Sequence, residues 1–333
     1  MKVAIIILNF FGWRDTIECL ESLQKNDYRQ FTMIVVDNGS KDGSIEKICE
    51  WASGKFKIDS EFIDYEDKFK PINTKILETQ GLHINEQNNF DDNFFSQLPN
   101  RHLLIIKSSK NLGFSGGNNL GAKYAFRKGF DYIVLLNNDT IIVDRDFIKK
   151  LINVFPSNKS CKVVGPKIIN LDGSFDGPYI YESYLDELFL LPIKNQLRKI
   201  LGCNQVYIDM KAISSAIPVP VYKISGACMA FEANFLDQID YLDENVWLSC
   251  EEAIVAEKVL TEGKKIYYQP LTTLIHKKAQ SPRPKNTRTS ILRNHFKQRR
   301  YFLSTYRKYG KLKILPIRIM HEVRLLIERI KFT

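Results

Sequence analysis

Apolar positions fall in short runs separated by polar clusters, and the spacing inside the runs alternates between strand and helix. VAIIIL at 3–8 is a continuous apolar run of strand length, and after Asn9-Phe10-Phe11-Gly12 the positions Trp13, Ile17, Leu20 and Leu23 recur at helical spacing. The unit then repeats. FTMIVVD at 31–37 is a second buried strand, followed by the turn NGSKDGS and a helix marked by Ile45, Ile48, Cys49 and Ala52. HLLIIKS at 102–108 leads into NLGFSGGNN and a helix lined by Leu120, Gly121, Tyr124 and Ala125, and DYIVLLNNDT at 131–140 is a fourth strand. This alternation predicts an α/β fold with a Rossmann-like, mostly parallel sheet flanked by helices on both faces. Ligands of such sheets bind beyond the carboxyl ends of the strands. The polar segments 9–12, 37–44, 111–119 and 137–140 all follow strands, so they are expected to line one cleft.

Two stretches depart from the alternation. Residues 55–101 are polar, rich in Asn, Asp, Glu and Lys, and read as an insertion with at most one short helix and no assigned chemistry. From 163 to 276 the strand signals weaken to 163–169, 221–231 and 265–270, with a helix at 251–262 opened by Glu251-Glu252. Beyond 280 the SPRPK segment reads as a linker to basic helices at 288–309 and 317–331.

Composition changes the picture in three ways. No run reaches the roughly 18 apolar residues of a membrane-spanning helix, and the first run is too short for a secretory leader, so a cytoplasmic location is expected. Six cysteines without a CxxC pair point to reduced thiols, not to a zinc site or disulfide framework. The net charge of +10 is concentrated at one end: residues 277–333 hold 17 Lys/Arg against 2 Glu. A mildly acidic body with a basic tail implies an anionic partner for the tail.

Candidate chemistry lies at the strand ends. Asp37 can accept hydrogen bonds from a nucleobase or cap the helix that follows, and the sequence favours neither reading. NLGFSGGNN places Gly113, Gly116, Gly117 and Asn118 before a helix; this permits close approach to a phosphate or sugar, or only a tight strand-to-helix turn. Asn137-Asn138-Asp139 puts one carboxylate just past an apolar strand, where a hard cation such as Mg²⁺ or Mn²⁺ takes oxygen ligands, although an Asp at that junction also serves as a cap. Of the adjacent pair Glu251-Glu252, one carboxylate has its basicity raised by the other and suits proton abstraction; negative charge in a first helical turn is the plainer reading. His276 follows an apolar segment and is a candidate metal or phosphate ligand.

In identity and order, ILNFFG at 7–12, VVDNGSKDGS at 35–44, NLGFSGGNNLG at 111–121 and LLNNDT at 135–140 resemble the inverting family 2 glycosyltransferases of the GT-A fold, in their rhamnosyltransferase-like branch of bacterial polysaccharide assembly. SGACMAF at 225–231, LDENVWLSCEE at 242–252 and His276 are similar to the acceptor-side half of that family. The resemblance covers 1–280, with 1–140 as the nucleotide-sugar half and 163–276 as the acceptor half. It implies that Asp37 contacts the base, and that Asn9, Asn38, Asn118 and its glycines, Asn137 and Asn138 line the nucleotide sugar. It further implies that Asp139 and His276 serve the metal, that Glu252 or Glu251 is the base, and that Gly226, Asp243 and Glu244 face the acceptor. The first acid of the family's Asp-x-Asp motif is here Asn137, and its Glu-Asp pair is here Glu251-Glu252.

The implied partners are a nucleoside-diphosphate sugar and a saccharide or lipid-linked acceptor. A dehydrogenase is excluded by the lack of GxGxxG after the first strand. A sugar nucleotidyltransferase needs a basic glycine-rich loop there, which Asn9-Phe10-Phe11-Gly12 does not provide. A non-catalytic nucleotide-sugar-binding or scaffold protein is the rival of another class. In the tail 285–333, Leu315, Ile319, Val323, Leu326 and Ile330 recur on one helix face among Arg and Lys. Two expectations compete for that stripe: contact with an anionic membrane on its inner face, or packing on the catalytic domain. Nucleic acid is disfavoured, because no base-reading motif accompanies the charge.

Overall fold

The computed structural model describes residues 1–80, 83–84, 102–190, 207–278 and 288–330. Eleven strands form the sheet: β1 (Val3–Asn9), β2 (Phe31–Asp37), β3 (Thr74–Gln80), β4 (His83–Ile84), β5 (His102–Lys107), β6 (Tyr132–Asn137), β7 (Thr140–Ile142), β8 (Cys161–Asn170), β9 (Val219–Val221), β10 (Cys228–Glu232) and β11 (Lys265–His276). The helices of nine residues or more among the described residues are α1 (Trp13–Gln24), α2 (Ser44–Ala52), α3 (Gly113–Arg127), α4 (Glu251–Thr261), α5 (Arg288–Thr305) and α6 (Lys311–Ile330).

Strand order is β4-β3-β5-β2-β1-β6-β10-β8-β11-β7, with β9 on β11. The stretch β3-β5-β2-β1-β6 is wholly parallel, as the βαβ alternation predicts. Beyond it β10 runs antiparallel to both β6 and β8, and β7 antiparallel to β11. β1 is central because its apolar run suits burial on both faces. Ile5 and Ile7 meet Ile17, Leu20 and Trp51 of α1 and α2 on one side, and Ile6 meets Tyr124 and Ala125 of α3 on the other. Register places Asn9 beside Asp37, Asp37 beside Lys107, and Leu8 beside Asn137. The carboxyl ends of these strands are therefore level.

The structure differs from the sequence expectation in the stretch 55–101. TKILETQ forms β3, paired in parallel with β5, where only a polar insertion was expected. Its pattern mixes Lys75 and Glu78 with Ile76 and Leu77, and only Leu77 and Thr79 are buried, so it carries the weak signature of a strand near the sheet edge. The remainder of that insertion, residues 81–82 and 85–101, lies outside the described residues, as do the whole 280–287 linker and residues 331–333. The last helix also begins earlier than expected, at Lys311, and runs through Pro316.

Candidate active site

At the end of β1, Asn9 is fully buried and donates through Nδ2 to Asp37 Oδ1 (2.7 Å) and Ser40 Oγ (3.2 Å), while its Oδ1 accepts from Thr16 Oγ1. Asp37 is likewise buried, and its second oxygen accepts from the Ser40 amide at 3.0 Å. Both carboxylate oxygens thus hold the 37–40 turn and its neighbour strand. The side chain is not a helix cap, since α2 begins at Ser44 and the Asp37 oxygens accept from Asn9 and the Ser40 amide. Asn38 is also internal: it donates to Asn111 Oδ1 and the Gly113 carbonyl and accepts from the Leu112 amide, tying the β2 turn to the loop before α3.

The glycines of that loop serve close packing. Gly113 has φ of +73°, and a Cβ there would meet the Trp247 ring at 3.0 Å. At Gly117 a Cβ would run into Leu8 and at Gly121 it would lie 2.7 Å from Ile6, so the glycines let α3 lie directly on β1. Gly116 sits against Leu112, and Asn118 is buried with its Nδ2 donated to the Phe114 carbonyl one turn back. Gly117 and Asn118 thus serve the packing of α3 on the sheet. The polar link from α3 is instead Asn119, which donates to the Leu242 carbonyl and Glu244 and accepts from the Leu242 amide.

After β6 the chain turns at Asn137-Asn138-Asp139. Asn138 donates to the Gly12 carbonyl and Thr16 Oγ1, binding this turn to the one after β1. The Asp139 carboxylate lies 3.3 Å from His276 Nε2 at the end of β11, and the other ring nitrogen of His276 is 2.8 Å from Asp176. Burial disfavours charge on the imidazole, but hydrogen bonds to Asp139 and Asp176 outweigh it and lift its pKa to about 9. Burial likewise opposes charge on Asp176, yet bonds from His276 and Tyr179 hold its carboxyl down at about 2. The next residue, Lys277, pairs with Asp15 and Glu18 of α1. Among the described residues no group of three His, Cys, Asp or Glu side chains is arranged to hold a metal by itself.

Asp176 connects this cluster to the acidic pair. Its Oδ2 accepts from Ser225 Oγ at 3.0 Å, and a Cβ on the next residue, Gly226, would lie 3.8 Å from both Glu251 Oε1 and Glu252 Oε2. Glu251 is buried and accepts from the Ser249 amide at 2.7 Å; burial first, then the charge of Glu252, pushes its carboxyl well above the usual range. Glu252 is partly exposed. The residues leading into α4, Ser249 and Cys250, have φ of 132° and 68°, backbone that non-glycine residues rarely adopt.

Of the two residues expected on the acceptor side, Asp243 is buried and engaged internally, whereas Glu244 is exposed and paired at the surface. Asp243 accepts from Tyr301 (2.7 Å) and Tyr306 (2.8 Å) as well as Asn245, and so anchors α5 and the turn behind it. Glu244 accepts from Asn119 and lies 3.6 Å from Lys123 of α3.

Residues 4–66 match the domain described as glycosyl transferase family 2. The match takes in β1, α1, β2 and α2, the first two strand–helix units of the sheet. The chain is 26% identical over 171 residues to the low-salt glycan biosynthesis hexosyltransferase Agl10 of Haloferax volcanii, covering 51% of this chain and 50% of that protein. It is 25% identical over 216 residues to the dTDP-rhamnosyl transferase RfbF of Shigella flexneri, covering 62% and 67%. Among solved structures, GalNAc-T7 with UDP, GalNAc and Mn²⁺ superposes with a TM-score of 0.54 at 14% identity, over 97% of this chain and 54% of that one. The Pyrobaculum calidifontis mannosyltransferase PcManGT, in complex with GDP-Man and Mn²⁺, gives 0.52 at 15% identity, over 97% and 69%. These neighbours establish the GT-A fold. The chain spans about half the length of the hexosyltransferase and of GalNAc-T7.

The residues brought together are Asp139, His276, Gly226, Glu251 and Glu252, by way of Asp176 and Ser225. Asn9, Asp37, Asn38 and Asn138 form the polar frame beneath them. The sequence did not single out Asp176, Ser225 or Asn119. Asp176 lies in the irregular stretch NLDGSFDGPY after β8, where no periodicity marks one carboxylate above the other.

Proposed function

We propose that this chain is an inverting, metal-dependent glycosyltransferase that moves a sugar from a nucleoside-diphosphate sugar to a hydroxyl of a saccharide or lipid-linked saccharide in polysaccharide assembly. The observation that carries this reading is the unbroken run of contacts from Asp139 through His276, Asp176 and Ser225 to Gly226, where both Glu251 and Glu252 converge. Hexosyl- and rhamnosyltransferase relatives and the nucleotide-bound GT-A neighbours support it.

Asp139 and His276 fit a divalent ion. Asp139 Oδ1 and His276 Nε2 lie 3.3 Å apart and would be the two side-chain atoms to hold it. Asp176, on the far ring nitrogen, fixes the orientation of the imidazole. The chemistry such an ion supplies is stabilisation of charge on the departing diphosphate.

Glu252 is the base in this reading, because Glu251 is buried, bonded to the Ser249 amide and driven toward its neutral form. Glu252 takes the proton of the acceptor hydroxyl, whose oxygen bonds to the anomeric carbon as the bond from that carbon to the phosphate oxygen breaks. The nucleoside diphosphate leaves and the configuration inverts. The turn after β2, shaped by Asp37 and Asn9, forms the floor of the nucleotide site.

A panel of sugar nucleotides, including UDP-sugars and dTDP-rhamnose, tests the reading through hydrolysis and transfer with Mn²⁺ or Mg²⁺ and with EDTA. Turnover of one donor, abolished by EDTA, is expected. Glu252→Gln should lower transfer by roughly 10²–10⁴-fold with donor affinity retained. Near-full transfer by that variant eliminates Glu252 as the base. Donor binding without turnover across the panel favours the non-catalytic binder.

A further inference from the structure

α6 presents two apolar faces, and only one of them is used. Ile314, Ile317, His321 and Leu325 turn inward: Ile317 and Ile314 join Phe302 and Leu303 of α5, and His321 stacks on Phe296. At about 100° per residue the set Leu312, Leu315, Ile319, Val323 and Leu326 falls on the opposite side. Those residues are between 47% and 90% exposed. The stripe that competing expectations assigned to a membrane or to the catalytic domain is therefore not packed on that domain. A single exposed leucine means nothing, but five aligned over four turns form a continuous apolar band of the kind that marks a contact surface.

We propose that this band, with its basic border, docks on the surface of an anionic lipid bilayer. Charge selects the partner. α6 carries five Lys/Arg, which are Lys311, Lys313, Arg318, Arg324 and Arg329, against Glu322 and Glu328. Helical spacing puts Lys311, Arg318 and Arg329 along one border of the band, whereas Lys313 and Arg324 turn toward the packed side, over the rings of Tyr184 and Tyr309 and of Phe296. An apolar band with a row of cations along its border matches an interface of acyl chains beneath anionic head groups. A second copy laid on the same band would set these cations against each other. Residues 288–330 as a whole hold twelve Lys/Arg and two Glu, which reinforces attraction to a negative surface. Among the described residues no helix is long and apolar enough to cross a membrane, so the contact is one of lying on the surface. The proposal does not depend on the reaction assigned to the cleft.

The test is co-sedimentation of the full chain with vesicles of phosphatidylcholine alone and of phosphatidylcholine with one quarter phosphatidylglycerol, at low and high salt. Binding to the anionic vesicles, at least tenfold above the neutral ones and weakened by salt, is expected. Ile319→Glu with Leu326→Glu should reduce it at least tenfold while leaving the circular-dichroism melt in place. Lys311→Glu with Arg318→Glu, on exposed positions that support no core, should also reduce it and serves if the first pair misfolds. The proposal is overturned if the wild-type chain stays in the supernatant with both vesicles, pellets equally with both, or pellets undiminished in both variants. A dimer in sedimentation velocity that Ile319→Glu with Leu326→Glu dissociates would assign the band to a second copy instead.

Discussion

Burial and the charge of Glu252 both favour the neutral form of Glu251, whereas in the unfolded chain Glu251 ionises in the ordinary carboxylate range. A folded pKa raised in this way contributes stability that is complete below the unfolded value and is lost as pH rises through the folded one. Wild-type melting temperature should therefore fall as pH is raised from about 5 through neutrality, and Glu251→Gln, which cannot ionise, should flatten that decline. Thermal melts across the pH series decide the matter; parallel curves for both proteins would place the proton elsewhere. At this scale the sequence carried residue identity better than orientation. Asp139, His276 and the Glu251-Glu252 pair were legible because they sit at the ends of strongly patterned elements. Asp37 and Asn118 were equally conspicuous, yet their side chains point inward to a turn and a helix carbonyl. A spacing pattern fixes which elements meet and does not fix which rotamer each polar residue takes.

Among elements, α3 shows most clearly how an apparent ligand loop is built for packing. Gly121 faces Ile6 and Val36, both β-branched and fully buried, so neither side chain can swing away from an added methyl group. Gly121→Ala gains up to about 1 kcal/mol in helix propensity. Overpacking against two rigid strands costs about 1–3 kcal/mol, so the net effect should be a loss. Urea denaturation would reveal it as a lower midpoint at unchanged slope, and a variant as stable as wild type would show that α3 can lift off the sheet. The parallel strands β1, β2, β5 and β6 were readable because burial on both faces leaves long apolar runs. β3 was not, since a strand near the edge needs few buried positions. β10 was visible as an apolar segment, but its antiparallel direction follows from the path of the chain after β8 and has no local signal.

Over the whole molecule, the basic tail divides into a structural part and a free face. α5 is tied to the body by Arg299, whose guanidinium pairs with Glu187 through two nitrogens and with Glu182, all three side chains at most 16% exposed. One turn on, Phe302 and Leu303 pack with Val246, Cys250 and Ile254 around the loop that delivers Glu251 and Glu252. Charge asymmetry read from the sequence suggested a separable appendage, because composition does not distinguish a cation facing water from one neutralised inside. Arg299→Met leaves Glu187 buried without this partner and Glu182 with Lys223 at 3.9 Å, a change that costs about 3–5 kcal/mol. Adding Glu187→Gln removes the more buried of the two charges, so the double variant should recover part of the loss. Guanidinium denaturation of the single and double variants measures both steps. If Arg299→Met unfolds at the wild-type midpoint, α5 is not a member of the core, and the positioning of the Glu251-Glu252 loop must then rest on contacts within the sheet domain, chiefly Asn119 with Leu242 and Ser249 with Glu251.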